Sequence, residues 1–261
     1  MYTQKEMRFR AGVVVLLGAC WPAQGSAQSS AETLASSDPP ILRAAGDRLT
    51  YDVEWRLIHA GTVVIEAQKT SAQMRLVSEG MVSALIKIQD VYHVDYDDHF
   101  CASGATMDSQ EGKRHRDTRI TYDSAAGRAT YLERDAIKNK TLQTHEVQIP
   151  DCVHEVVGAF LKLRGMSVPP GKSVQIPMSD GIKSAAVKVE AQEREDVKTP
   201  QGVFKTVRYE ANMLNGVIYT RKGRVFLWLT DDARRLPVQI RLRMNFPIGT
   251  VTLQLLKEEH P

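Results

Sequence analysis

The sequence is poor in the features that identify an enzyme. It has no Gly-rich phosphate loop, no G-x-S-x-G elbow and no Ser/His/Asp arrangement visible from spacing. His154-Glu155-Val156-Val157-Gly158 comes nearest to a zinc-protease helix, which needs a second histidine four residues after the first so that both rings reach one metal. That position is Gly158, and the reading fails. Charge of one sign is scarce too: 34 Lys and Arg against 31 Asp and Glu give +3. No strong field for nucleic acid or for an anionic membrane follows from that balance. Long apolar runs are missing. The clearest, residues 11–19 (AGVVVLLGA), is well short of the roughly 20 residues that span a bilayer.

That short run is informative in another way. Arg8 and Arg10 precede it, Pro22 breaks it, and Gly25-Ser26-Ala27 offers small residues to a peptidase. Residues 1–27 therefore read as an export signal cut after Ala27. Met7 is a candidate start, because Met7-Arg8-Phe9-Arg10 already supplies the positive head. The alternative is lipoprotein processing at Leu17-Gly18-Ala19-Cys20, which would leave an acylated, lipid-anchored Cys20. Both routes imply a periplasmic or secreted protein with no transmembrane span after the signal is removed. Removal takes Lys5, Arg8, Arg10 and Glu6, so the remaining chain is almost neutral. Only Cys101 and Cys152 then remain in the folded part. Two thiols in an oxidising compartment predict one disulfide, worth roughly 4 kcal/mol for a loop of about 50 residues.

Residues 28–41 are small and polar and end near two prolines, as expected of a flexible leader. Residues 42–258 read as a single β-rich domain, because the dominant period is two. In 49–57, Leu49, Tyr51, Val53, Trp55 and Leu57 alternate with polar residues. His59-Ala60-Gly61 reads as the turn, and 62–68 returns. Further extended segments are expected at 74–78, 92–101, 116–123, 128–134 and 141–149. Others follow at 173–178, 184–195, 203–211, 224–229, 238–244 and 250–256. Two helices interrupt the pattern. One runs over 151–164 with Asp151 as N-cap; the other, shorter, over 81–91. The expected fold is all-β with one main helix: a curved antiparallel sheet or barrel, with a sandwich as the other arrangement.

Few side chains invite chemistry. His93, Asp95, Asp97 and His99 would share one face of a strand and are the densest group of metal-type ligands, but the ends lie roughly 20 Å apart in an extended chain. A solvated strand face, with Tyr92, Val94, Tyr96 and Phe100 inward, fits them better. Lys113, Arg114 and Arg116 are candidates for anion binding at a hairpin end; no aromatic residues interleave with them, which argues against nucleic acid. Asp231-Asp232-Ala233-Arg234-Arg235 reads as a stapled turn. No cofactor is expected.

The order of several segments resembles a known family, the exported bacterial proteins grouped as domain of unknown function 3108. The residues that carry the resemblance are Leu49-Thr50-Tyr51 with Trp55 and Ala60-Gly61, then the 151–164 helix followed by Gly171. Lys198-Thr199-Pro200-Gln201-Gly202-Val203-Phe204 and the run Val225 to Val238 with Trp228, Asp231-Asp232 and Leu236-Pro237 follow, and 246–251 completes it. The resemblance implies a β-rich exported domain and supplies no catalytic residues.

Three functions compete at this point. In the first, a curved sheet with too few helices to cover it holds a lipid or other apolar small molecule, under a lid built from Met81, Leu85, Ile88, Met213 and Leu214. In the second, the core is filled and the protein binds an envelope partner. In the third, Asp97 and His99 serve a hydrolase. The expectation is a protein without catalytic activity.

Overall fold

The computed structural model describes residues 46–259, so the export signal, the leader and Cys20 lie outside the described residues. Fourteen strands form one antiparallel sheet. The first eight are β1 (Arg48–Trp55), β2 (Ile58–Ala67), β3 (Ser71–Ser78), β4 (Ile88–Tyr96), β5 (Ala102–Glu111), β6 (Arg114–Asp123), β7 (Arg128–Asp135) and β8 (Lys140–Gln148). The last six are β9 (Ser173–Ser179), β10 (Ser184–Thr199), β11 (Gly202–Ala211), β12 (Gly223–Thr230), β13 (Pro237–Met244) and β14 (Thr250–Glu259). Among the described residues there are two helices, α1 (Gly80–Leu85) and α2 (Val156–Gly165). Each strand pairs with its sequence neighbours except at two places: β1 pairs with β14, and β8 and β9 are the free edges. The sheet is thus a curved meander that is not closed by strand pairing.

It curls because it wraps its own helix. Val157 and Leu161 of α2 pack with residues of β4 to β7, while Ala159 and Leu163 pack with residues of β9 to β12. A third cluster joins β1, β2 and β12 to β14 around Tyr51, Trp228 and Val238. A helix buried on two sides must be apolar on both, and VVGAFLKL is. Arg164 near its end is buried against Asp47 at 3.1 Å, which anchors the helix to the start of β1.

Several expectations are corrected. The 151–164 helix begins only at Val156; Glu155, not Asp151, caps it, and residues 151–154 lie outside the helix, with His154 in a parallel bridge to Met178. The helix expected over 81–91 is one turn and a half, ending at Leu85, because Ile88, Tyr92, Val94 and Tyr96 supply β-type alternation and Ile88 is the buried start of β4. The strand expected over 92–101 stops at Tyr96. Strand β5 was not anticipated: ASGATMDSQE has few β-branched or aromatic residues, and pairing with β4 and β6 imposes its extension.

The first hairpin also turns elsewhere than expected. Arg56 and Leu57, both with positive φ (52° and 68°), make the turn. They are held there by Trp55 Nε1 donating to the Ile248 carbonyl at 2.7 Å and Arg56 N donating to Thr250 O at 3.0 Å. Gly61 instead sits within β2, where a Cβ would lie 2.1 Å from the backbone oxygen of Val77. Gly61→Ala is therefore expected to cost at least about 2 kcal/mol of stability, because the clash is with backbone and the two central strands must part. Urea unfolding measures this; a loss under about 0.5 kcal/mol would contradict the packing described.

Candidate functional site

Titratable groups gather in the interior where residues 152–155 cross between the two ends of the sheet. Pro150 ends β8's run, and the extended segment that follows satisfies its backbone on both sides. Ala102 N donates to Val153 O at 2.8 Å, His154 N to Pro177 O at 2.9 Å, and Ser179 N to His154 O at 3.0 Å. Cys101 and Cys152 form a disulfide with their Cα atoms 5.0 Å apart, beside these bonds. The His154 Nδ1 lies 2.6 Å from the Phe100 carbonyl, and burial holds its pKa below the usual histidine value. A neutral ring that donates from Nδ1 fits both facts.

Glu155 is fully buried. Its carboxylate accepts from Val157 N and the Tyr92 hydroxyl, each at 2.8 Å, and from Gly158 N. Burial pushes its pKa up, against the pull of those donors. Tyr122 donates to Ser179 O at 3.0 Å, and burial also raises Tyr92, Tyr122 and Tyr219. Each of these polar groups, Tyr219 apart, is spent on a named structural bond: Glu155 caps α2, Tyr92 holds Glu155, and Tyr122 ties β6 to the end of β9. Gly158, the position that fails as a metal ligand, lets the helix approach; a Cβ there would lie 2.9 Å from Phe100 O.

Perturbed titratable groups often mark active sites; here burial perturbs them, and the same groups serve as helix cap and crossbrace.

The residues singled out from sequence are scattered. His93 and Asp95 pair with each other at 3.1 Å on an exposed face. Asp97 and His99 do not share a strand face: Asp97 Oδ1 accepts from His99 N and Cys101 N and so builds the β4–β5 turn. Among the described residues the metal-type group close enough to share an ion is a different one, Asp108, His115 and Asp117, exposed on β5 and β6. Arg116 is committed to the buried Glu133, whereas Lys113 and Arg114 stand exposed at the β5–β6 turn. Met81 and Leu85 project into solvent from α1, but Ile88, Met213 and Leu214 are core residues, so the five do not come together over one opening. Asp232 staples its turn by accepting from Thr230 Oγ1 and from the amides of Arg234 and Arg235.

Sequence reasoning missed two features. The face of β12 opposite Val225, Leu227 and Leu229 is also apolar. There Arg241 lies over Trp228, and Arg208, Arg224 and Arg243 lie over Phe226, at 4.7 to 5.8 Å. The second is Asp90, which shares the inward parity of Ile88, Tyr92 and Val94; that parity was the available signal. Asp90 Oδ1 accepts from Gln110 N at 3.1 Å, while Oδ2 is buried without a hydrogen bond among the described residues.

A family model described as protein of unknown function (DUF3108) matches residues 50–256. Among curated proteins, none matches the sequence. A crystal structure of a β-barrel-like protein from Brucella abortus, of domain of unknown function 1849, is similar in fold. Its TM-score is 0.55 at 10% identity, covering 84% of this chain and 99% of that one. A Pseudomonas aeruginosa protein of the 1089 family of unknown function aligns over 70% of this chain and 90% of its own, with 13% identity and a TM-score of 0.38.

Asp90 yields a pH prediction. Burial pushes its pKa to about 6, against the pull of Ser109 and the Gln110 amide. The unfolded chain has the ordinary lower value, so the fold favours the protonated acid. Its penalty is full above about pH 6 and vanishes as pH falls through 6 toward 4. Asp90→Asn, neutral throughout, is expected to be more stable than the parent by about 2 kcal/mol at pH 8 and by much less near pH 4. Denaturant unfolding at both pH values tests the sign, and an equal gap at both would contradict it.

Proposed function

The chain belongs to the DUF3108 family of proteins of unknown function, and we propose that it is an exported, non-catalytic envelope protein that acts through its outer surface. One observation carries this reading: the space inside the curled sheet is taken by α2, whose side chains pack against both ends of the sheet. A carrier needs that space for its cargo. The buried hydroxyls and carboxylate that would orient a cargo bond to one another and to backbone instead.

Export is supported by the Cys101–Cys152 disulfide and by the signal-like residues 1–27. No helix among the described residues is long and apolar enough to cross a membrane. The absence of catalysis rests on the interior polar groups having structural tasks and on the dispersal of Asp97 and His99. A second reading, an apolar ligand such as a lipid held inside, draws on half-buried Tyr219, whose buried hydroxyl lies near Asp180 and Glu155 in the interior.

Native and denaturing mass spectrometry of protein exported by its own signal separates the two readings. A native mass equal to the bare chain is expected. A stoichiometric adduct that dissociates on denaturation would overturn the surface-acting reading in favour of the carrier.

A further inference from the structure

In an antiparallel meander every odd-to-even turn falls at one end of the sheet and every even-to-odd connection at the other. The two ends differ. Six large apolar side chains among the described residues are about two-thirds or more exposed: Leu57, Met81, Leu85, Ile137, Val203 and Phe246. All but Val203 lie in odd-to-even turns, and Leu57 and Phe246 are 90% exposed. The seven odd-to-even turns also hold seven Lys and Arg against two acidic residues, while the connections at the other end hold six of each. The near-zero charge of the whole chain conceals this difference.

Six of these turns form a continuous rim, and the seventh, between β9 and β10, folds inward against Ile120 and Tyr131. Ala136 N of the β7–β8 turn donates to His115 O, Gly112 N to Lys87 O, Glu79 N to Ala60 O, and Asn245 N to Lys222 O, at 2.8 to 3.2 Å. The Arg56 guanidinium donates to Pro247 O and to Ile248 O. Glu79, one of the two acids, is occupied by His59 at 3.1 Å and Thr62 at 3.0 Å. The other, Asp180, accepts from its own turn's amides and is half-buried in the inward-folded β9–β10 turn. Lys87, Lys113, Lys138 and Lys222 stand exposed beside the apolar tips.

At the tip of the first hairpin, Arg56 and Leu57 both hold positive φ, which costs a side-chain-bearing residue of each kind. The result of that costly turn is Leu57 standing in water. A core requirement does not explain it, since Leu57 touches no core.

We propose that this rim docks on an anionic phospholipid bilayer, with Leu57, Phe246, Met81 and Leu85 entering the headgroup region and the lysines and Arg56 meeting lipid phosphates. The arrangement suits a bilayer better than a protein. The apolar side chains are single and separated, with cations between them. A protein interface needs a contiguous dry centre, whereas a fluid, planar surface meets dispersed tips together and attracts the cations beside them. The proposal rests on the surface-acting reading and names the surface's partner.

Sedimentation with phosphatidylcholine vesicles, with and without phosphatidylglycerol, tests it on the full exported chain with its disulfide intact. Binding is expected only with phosphatidylglycerol present, and it should weaken with added salt. Leu57→Asp with Phe246→Asp should reduce binding at least tenfold, and Lys87→Glu or Lys113→Glu about fivefold each or more. Val203→Asp, at the other end, should leave it unchanged. All these positions are exposed, and circular dichroism confirms that each variant folds. Absence of binding to the anionic vesicles overturns the proposal. So does equal binding to both vesicle types, equal loss in Val203→Asp, or binding indifferent to both salt and the rim variants, as an acyl anchor at Cys20 would give. Crosslinks from Leu57 or Phe246 to a protein, without vesicle binding, also overturn it. None of these outcomes touches the surface-acting reading, which the native mass spectrum decides separately.

Discussion

The fold depends on a four-residue crossing, Cys152 to Glu155, that ties the two ends of an open sheet around a buried helix. Strand pairing does not close the meander, because β8 and β9 are not neighbours. Three backbone hydrogen bonds at Val153 and His154, the adjacent disulfide and the Glu155 cap do so instead. The β9–β10 turn seals the inside of the curl; Gly181 there packs so closely that a Cβ would lie 2.7 Å from Ile120. Buried backbone and carboxylate groups are tolerated in this crossing because nearly all are hydrogen-bonded.

This closure determines what remains for function. A sheet wrapped on its own helix commits much of its inside to packing, and its buried Glu155, His154, Tyr92 and Tyr122 are hydrogen-bonded there. Exposed apolar and basic side chains concentrate at the turn tips of one end. Similarity of fold to a β-barrel-like protein at 10% identity supports the architecture and leaves the work of the surface to be argued from these residues.

Much of the sheet was legible in the sequence because half-buried strands alternate. Tyr51 and Val53 face in, and Asp52 and Glu54 face out or nearly so, as their parity requires. Where alternation is weak, legibility failed. Strand β5 carries Ala, Gly, Ser and Asp, and only its neighbours hold it extended. The first hairpin turn lacks Gly or Asn, so its positive φ at Arg56 and Leu57 could not be read, and Gly61 drew attention as a turn residue when its role is close approach to β3. Glu155 was hidden within a near-miss to a metal motif. The polarity of the two ends was invisible for a different reason: it is a sum over turns distant in sequence, which only the strand order brings together.

The central claim is that residues 152–155 hold the curl shut, and amide hydrogen exchange tests it most directly. With the disulfide intact, the amides of Ala102, His154 and Ser179 are predicted to exchange as slowly as those of Leu227 and Leu229 in β12. After reduction they should exchange at least about tenfold faster, while β12 changes less. Exchange at these three amides as fast as in exposed turns of the oxidised protein, or no response to reduction, would contradict the account.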